Sequence, residues 1–104
     1  MIQSFDCTLI KTINEIVVDV FDAEVAENIL QYLQQSEQTY SRIRTFSDSL
    51  NKILGVGSTI IEDLILETLY SKYNSQFKWK KDYTFIDYVL ELKDQVLRRK
   101  KDED

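Results

Sequence analysis

The sequence predicts an all-α protein, a single compact domain of about five helices around one central apolar helix, residues 59–73. Three observations point there. The chain has 2 glycines and no proline in 104 residues, too few for the many turns of an all-β fold. Leu, Ile, Glu and Lys, which favour helices, are abundant. Apolar residues recur at three- and four-residue spacings along most of the chain. A composition of 43% hydrophobic and 30% charged residues is that of a globule rather than a disordered chain. This length forms one domain, 1–104, able to bury a core but without chain for a second lobe.

The first helix is expected over 4–20, where Phe5, Leu9, Ile13, Ile16 and Val20 share a face. Asp22 is a suitable N-cap for the second, with Glu24 and Glu27 near the positive end of the helix dipole. Its stripe of Val25, Ile29 and Leu33 carries it to about Gln38. The two helices therefore abut as a sharp corner or as one kinked helix.

Residues 39–45 read as a connector, and Thr45 or Ser47 as the cap of a third helix bearing Phe46, Leu50, Ile53 and Leu54. Gly55 and Gly57 mark the helix break, since glycine adopts the left-handed conformation freely. Thr59 and Glu62 have capping-box spacing. The fourth helix is apolar over well over half its circumference, which places it centrally. In residues 74–83, Phe77 and Trp79 alternate with Lys78 and Lys80 like a short extended arm. Thr84 then caps the last helix, whose seam is Phe85, Val89, Leu92 and Val96. Residues 97–104 form a basic and then acidic tail, expected to fray.

Composition excludes several chemistries. With no histidine, the usual general base, the phospho-accepting imidazole and every His-containing zinc site are missing. The single cysteine, Cys7, forms no intrachain disulfide and has no histidine to activate it. The glycines of Gly55-Val-Gly57-Ser58-Thr59 lack the spacing and the lysine of a phosphate-binding loop. No enzymatic activity and no cofactor or metal are expected, and the carboxylate pairs Glu62/Asp63 and Asp19/Asp22 read as solvated faces. Neither a secretory signal nor an apolar run of membrane-spanning length is visible, so a reducing, cytoplasmic setting is expected.

The net charge of −5 argues against duplex DNA as a partner. In a helix–turn–helix arrangement, residues 59–73 would also present Glu62 and Asp63 where base-contacting residues belong. The charge is uneven: residues 1–67 carry 4 Lys/Arg against 11 Asp/Glu, and 68–104 carry 9 against 7. The candidate interaction surface comprises the arm residues Phe77, Trp79, Lys80 and Lys81, and the seam Phe85, Val89, Leu92 and Val96. An excess of large apolar side chains predicts self-association, as a homodimer, through that surface. The expected function is a non-enzymatic regulatory or protein-interaction module with a protein partner. The alternative is a small nucleic-acid-associated regulator using Lys78–Lys81 and Arg98–Lys101.

Residues 46–92 carry Phe46 and Leu50, then Ile53-Leu-Gly-Val-Gly57, Ile61-Glu62, Ile65-Leu66, Leu69-Tyr70 and Tyr83-Thr-Phe85-Ile-Asp87-Tyr88. In these positions the chain resembles a small archaeal module, the Nitrosopumilus output domain, found in signal-transduction contexts. Val25-Ala-Glu27, Ile29 and Leu33 extend the resemblance upstream. The resemblance implies an archaeal signalling output domain and brings no catalytic residue with it.

Overall fold

Ser4 starts the first helix, its Oγ accepting the N–H of Cys7 at 3.2 Å, which satisfies one of the donors a helix start leaves free. The computed structural model describes residues 4–34 and 38–102. Helix α1 runs Phe5–Val20 and buries Phe5, Leu9, Ile13 and Val17. Val17 takes the place expected for Ile16 and Val20, of which Ile16 is half-buried and Val20 exposed. Phe5, Leu9, Ile13 and Val17 keep a four-residue spacing along the whole helix.

At Phe21 the backbone is extended (φ −109°, ψ 157°), so α1 and α2 (Ala23–Leu30) are separate helices meeting at a corner. Asp22 caps α2 as expected, accepting the Val25 N–H at 2.9 Å. The second helix is shorter than its apolar stripe suggested. From Gln31 to Gln34 it tightens into a 3₁₀ turn that still buries Leu33, and Arg42 Nε donates to the Leu33 carbonyl. Residues 35–37, within the predicted second helix, lie outside the described residues.

The expected connector at 39–45 is instead the start of α3, Thr39–Leu54. Hydroxyl side chains such as those of Thr39, Ser41 and Thr45 can compete with the helix for backbone groups. Here they bond within the helix: Thr45 Oγ1 donates to the Ser41 carbonyl at 2.9 Å and Ser49 Oγ to the Thr45 carbonyl at 2.8 Å. Ile43, Phe46 and Leu50 are fully buried, so tertiary packing overrides local preference. The cap position is Gln38, not Thr45 or Ser47.

Gly55 ends α3 at φ +58° and ψ −130°, and a 3₁₀ turn, Gly55–Gly57, feeds directly into α4, Ser58–Lys72. The expected Thr59–Glu62 capping box does not form. Ser58 Oγ donates to Asn51 Oδ1 and Ser47 Oγ to Glu62 Oε2, both at 2.6 Å, so these polar groups tie α4 to α3 instead. As predicted, α4 is central and packs against α1, α3 and α5 (Phe85–Asp102). Its outer face, however, stays open to solvent at Ile60 and Leu64.

Residues 73–84 form an irregular arm, and no strand occurs among the described residues. Thr84 and Asp87 cap α5 reciprocally: Asp87 Oδ2 accepts the Thr84 N–H at 2.9 Å, and Thr84 Oγ1 accepts the Asp87 N–H at 3.3 Å. The seam proposed as an interface is core. Phe85, Val89, Leu92 and Val96 are all buried within the chain, because α5 turns that face onto α3 and α4. Helix α5 continues through Asp102, so the tail expected to fray from residue 97 is helical as far as it is described. Residues 103–104 lie outside the described residues.

The two glycines of the break are not equivalent. A Cβ at Gly55 meets nothing within 4 Å, but its positive φ strains any L residue, whereas at Gly57 a Cβ makes ordinary contact with Leu54 Cβ at 3.8 Å. Gly55→Ala should therefore cost about 1–3 kcal/mol. Gly57→Ala should be neutral or stabilise by about 0.4–1 kcal/mol. Urea unfolding of the two variants checks the contrast.

Candidate functional site

The arm between α4 and α5 is held by aromatic side chains. The Phe77 ring packs edge-on between Tyr70 at 5.4 Å and Tyr88 at 5.0 Å. The Tyr88 hydroxyl accepts the Lys80 N–H at 2.7 Å and donates to the Lys80 carbonyl at 3.1 Å. Lys80 also pairs with Glu91 and places its ammonium 5.2 Å from the Tyr83 ring. The hydrogen bond with Glu91 holds that ammonium above the ordinary lysine pKa. Trp79 lies between two anchored residues, yet its side chain is 76% exposed.

Trp79 stands at the rim of a groove of about 590 Å³ between α3, α4 and the start of α5. Buried Leu66 and Phe85 form part of its lining. Asp48, Glu62 and Asp63 line it from the α3–α4 side beside a single guanidinium, Arg44. From the other side the arm and α5 contribute Trp79, Tyr83, Asp87 and Leu90. Ion pairs among the described residues use Glu15, Glu91, Asp6 and Asp94, and none uses a groove carboxylate. Burial raises the Glu62 pKa, and repulsion from Asp63 and Asp48 adds to this, while the Ser47 hydroxyl opposes it. The groove is therefore an aromatic-edged, negatively charged hollow.

The sequence-predicted surface is divided by the fold. Phe77 belongs to the aromatic cluster and Lys80 to an ion pair, while Lys81 is exposed. Lys78 and Lys80 line a separate smaller hollow with Gln76, Glu91 and Gln95. Of the seam, Phe85 reaches the groove; Val89, Leu92 and Val96 do not. The groove residues that sequence reasoning passed over are Asp48, Tyr83, Asp87 and Leu90. One signal was available, the acidic and apolar face Thr59, Glu62, Asp63 and Leu66 of α4, but its partner wall comes from the arm and α5, between Trp79 and Leu90.

No group of three or more acidic or cysteine side chains placed to hold a metal ion occurs among the described residues. A second exposed feature is aliphatic: Val56, 95% exposed, is followed by Ile60, 71% exposed, and Leu64, with Ile53 just before it. Ile60 and Leu64 are one turn apart on the outer face of α4.

Comparison with protein-family models, with curated proteins and with solved structures finds no match.

Tyr70 supports the arm from below, donating its hydroxyl to the Tyr88 carbonyl at 2.8 Å. Burial, with a smaller contribution from Glu91, pushes its pKa from 10.0 up to about 12. The folded state thus holds this proton more tightly than the unfolded chain. The associated stability is complete below pH 10 and is lost as pH rises from 10 towards 12. Tyr70→Phe should cost about 0.5–1.5 kcal/mol at neutral pH by removing this hydrogen bond. It should also flatten the alkaline limb of a stability–pH profile followed by circular dichroism.

Proposed function

We propose that this chain is a non-enzymatic regulatory interaction module whose docking surface is the groove beside Trp79. One observation carries the reading: a largely exposed indole set between two pinned residues. An aromatic side chain of this size buries about 150–250 Å², so its exposure leaves on the order of 3–5 kcal/mol of burial unused. Because Phe77 and Lys80 are already held, covering Trp79 orders little further backbone, and such preorganised aromatic anchors dominate interfaces. The resemblance of residues 46–92 to the Nitrosopumilus output domain supports the same class, a signalling output module in an archaeal cytoplasm. Among the described residues no helix is long and apolar enough to cross a membrane.

The nucleic-acid alternative uses Lys78–Lys81 and Arg98–Lys101. Weighing against it, the carboxylates around Trp79 repel phosphate, and Lys80 is engaged by Glu91. A photo-crosslinking residue at position 79, introduced into the chain at its native level, should give a protein adduct. Nucleic-acid adducts, with mobility shifts that collapse as salt rises, would favour the alternative.

A homodimer is the proposed assembly, but its surface is the aliphatic ridge Ile53, Val56, Ile60 and Leu64 rather than the buried seam. Lys52 and Glu67, both exposed, flank these residues in sequence, and a two-fold pairing that sets the two ends against one another would bring opposite charges together. Sedimentation equilibrium at micromolar concentration should give twice 12.3 kDa, and Ile60→Asp should return the monomer without unfolding it.

A further inference from the structure

We infer that the groove beside Trp79 receives a cationic amphipathic helix of a partner protein. The inference rests on the interaction-module reading and adds the chemistry of the occupant. Its basis is the different character of the two walls. From α3 and α4 come the three carboxylates Asp48, Glu62 and Asp63 beside Arg44; from the arm and α5 come the apolar and aromatic Trp79, Tyr83 and Leu90 with one carboxylate, Asp87. A ligand that satisfies both walls is cationic along one side and apolar along the other. A helix with Lys or Arg opposite a stripe of large apolar residues has that form, and a slot between helices is a common seat for one.

Charge complementarity sets the sign. Asp48 and Asp63 make no ion pair or hydrogen bond within the described chain, and they converge with Glu62 on one groove wall. The Glu62 carboxylate is crowded by those same two neighbours. An incoming ammonium or guanidinium relieves this repulsion, and a phosphate or carboxylate would add to it. The rim aromatics accept a cation equally well, as Lys80 already shows over Tyr83 at 5.2 Å.

The chain contains a single tryptophan, so indole fluorescence reports this site alone. The probe is a synthetic amphipathic Leu/Lys peptide, with a Leu/Glu peptide of the same pattern as its control. The Leu/Lys peptide should shift Trp79 emission to the blue, saturably and more weakly as salt rises. The double substitution Asp48→Asn/Asp63→Asn, at positions without a structural bond, should weaken binding by about tenfold or more. Trp79→Ala should do the same, followed by anisotropy of a labelled peptide. The remote pair Asp19→Asn/Glu24→Gln, which removes the same charge, should leave affinity within about twofold, as expected of rim charges outside an interface. Circular dichroism establishes that each variant is folded.

An unmoved Trp79 emission, equal binding of the Leu/Glu peptide, or an equal loss from both charge pairs would overturn the inference. If those results came with a protein adduct at position 79, the occupant's chemistry would be wrong while the interaction-module reading stood. No adduct and no peptide binding would remove both.

Discussion

Tyr88 is the point at which three parts of this protein are joined. Its ring packs against Phe77 and Tyr83, its hydroxyl holds both backbone groups of Lys80, and its own carbonyl accepts from Tyr70 on the central helix. The arm has no regular hydrogen-bonding partner of its own, so these contacts take the place of a ladder or a helix for residues 77–83. A buried hydroxyl with both its donor and acceptor capacity used is worth far more than one left unpaired. Without Tyr88 there would be no fixed Trp79, and the groove would lose one wall.

The rest of the core is conventional helix packing, but polar side chains decide how the helices are registered. Lys72 reaches from α4 to Thr12 Oγ1 at 2.9 Å and Glu15 at 3.1 Å on α1. Lys93 of α5 meets Asp6 at 3.3 Å and lies over the Tyr40 ring at 4.8 Å, joining α1, α3 and α5. Hydrogen bonding to Tyr40 and Asp6 holds Lys93 above the ordinary lysine pKa. Partly exposed pairs of this kind contribute roughly 0–1 kcal/mol each. Their role is to select one arrangement of helices whose apolar faces would tolerate several.

The distribution of these pairs has a functional side. Lysines neutralise Glu15 and Asp6 between helices and Glu91 beneath the arm, while the carboxylates lining the groove receive no such partner. The indole of Trp79 likewise stays largely exposed, and the proposed docking surface is built on these two features together.

The sequence by itself determined the helical class, the N-cap of α2 at Asp22, the stop at Gly55, the cap of α5 at Thr84 and the central place of α4. Each of these is set by local chemistry or by a period within one helix, while the break between α1 and α2 was decided by the extended backbone at Phe21. It misplaced residues 39–45 because hydroxyl side chains can serve a turn or a helix equally, and only the burial of Ile43 favours the helix. Phe85, Val89, Leu92 and Val96 were legible as an apolar seam, but a seam looks the same whether it meets its own chain or another. The groove was least legible, since Asp48, Glu62, Trp79 and Leu90 are brought together by four separate elements. Which apolar residues were core and which were surface was decided by the tertiary structure, because burial depends on what packs opposite a side chain and periodicity records only which side chains share a face.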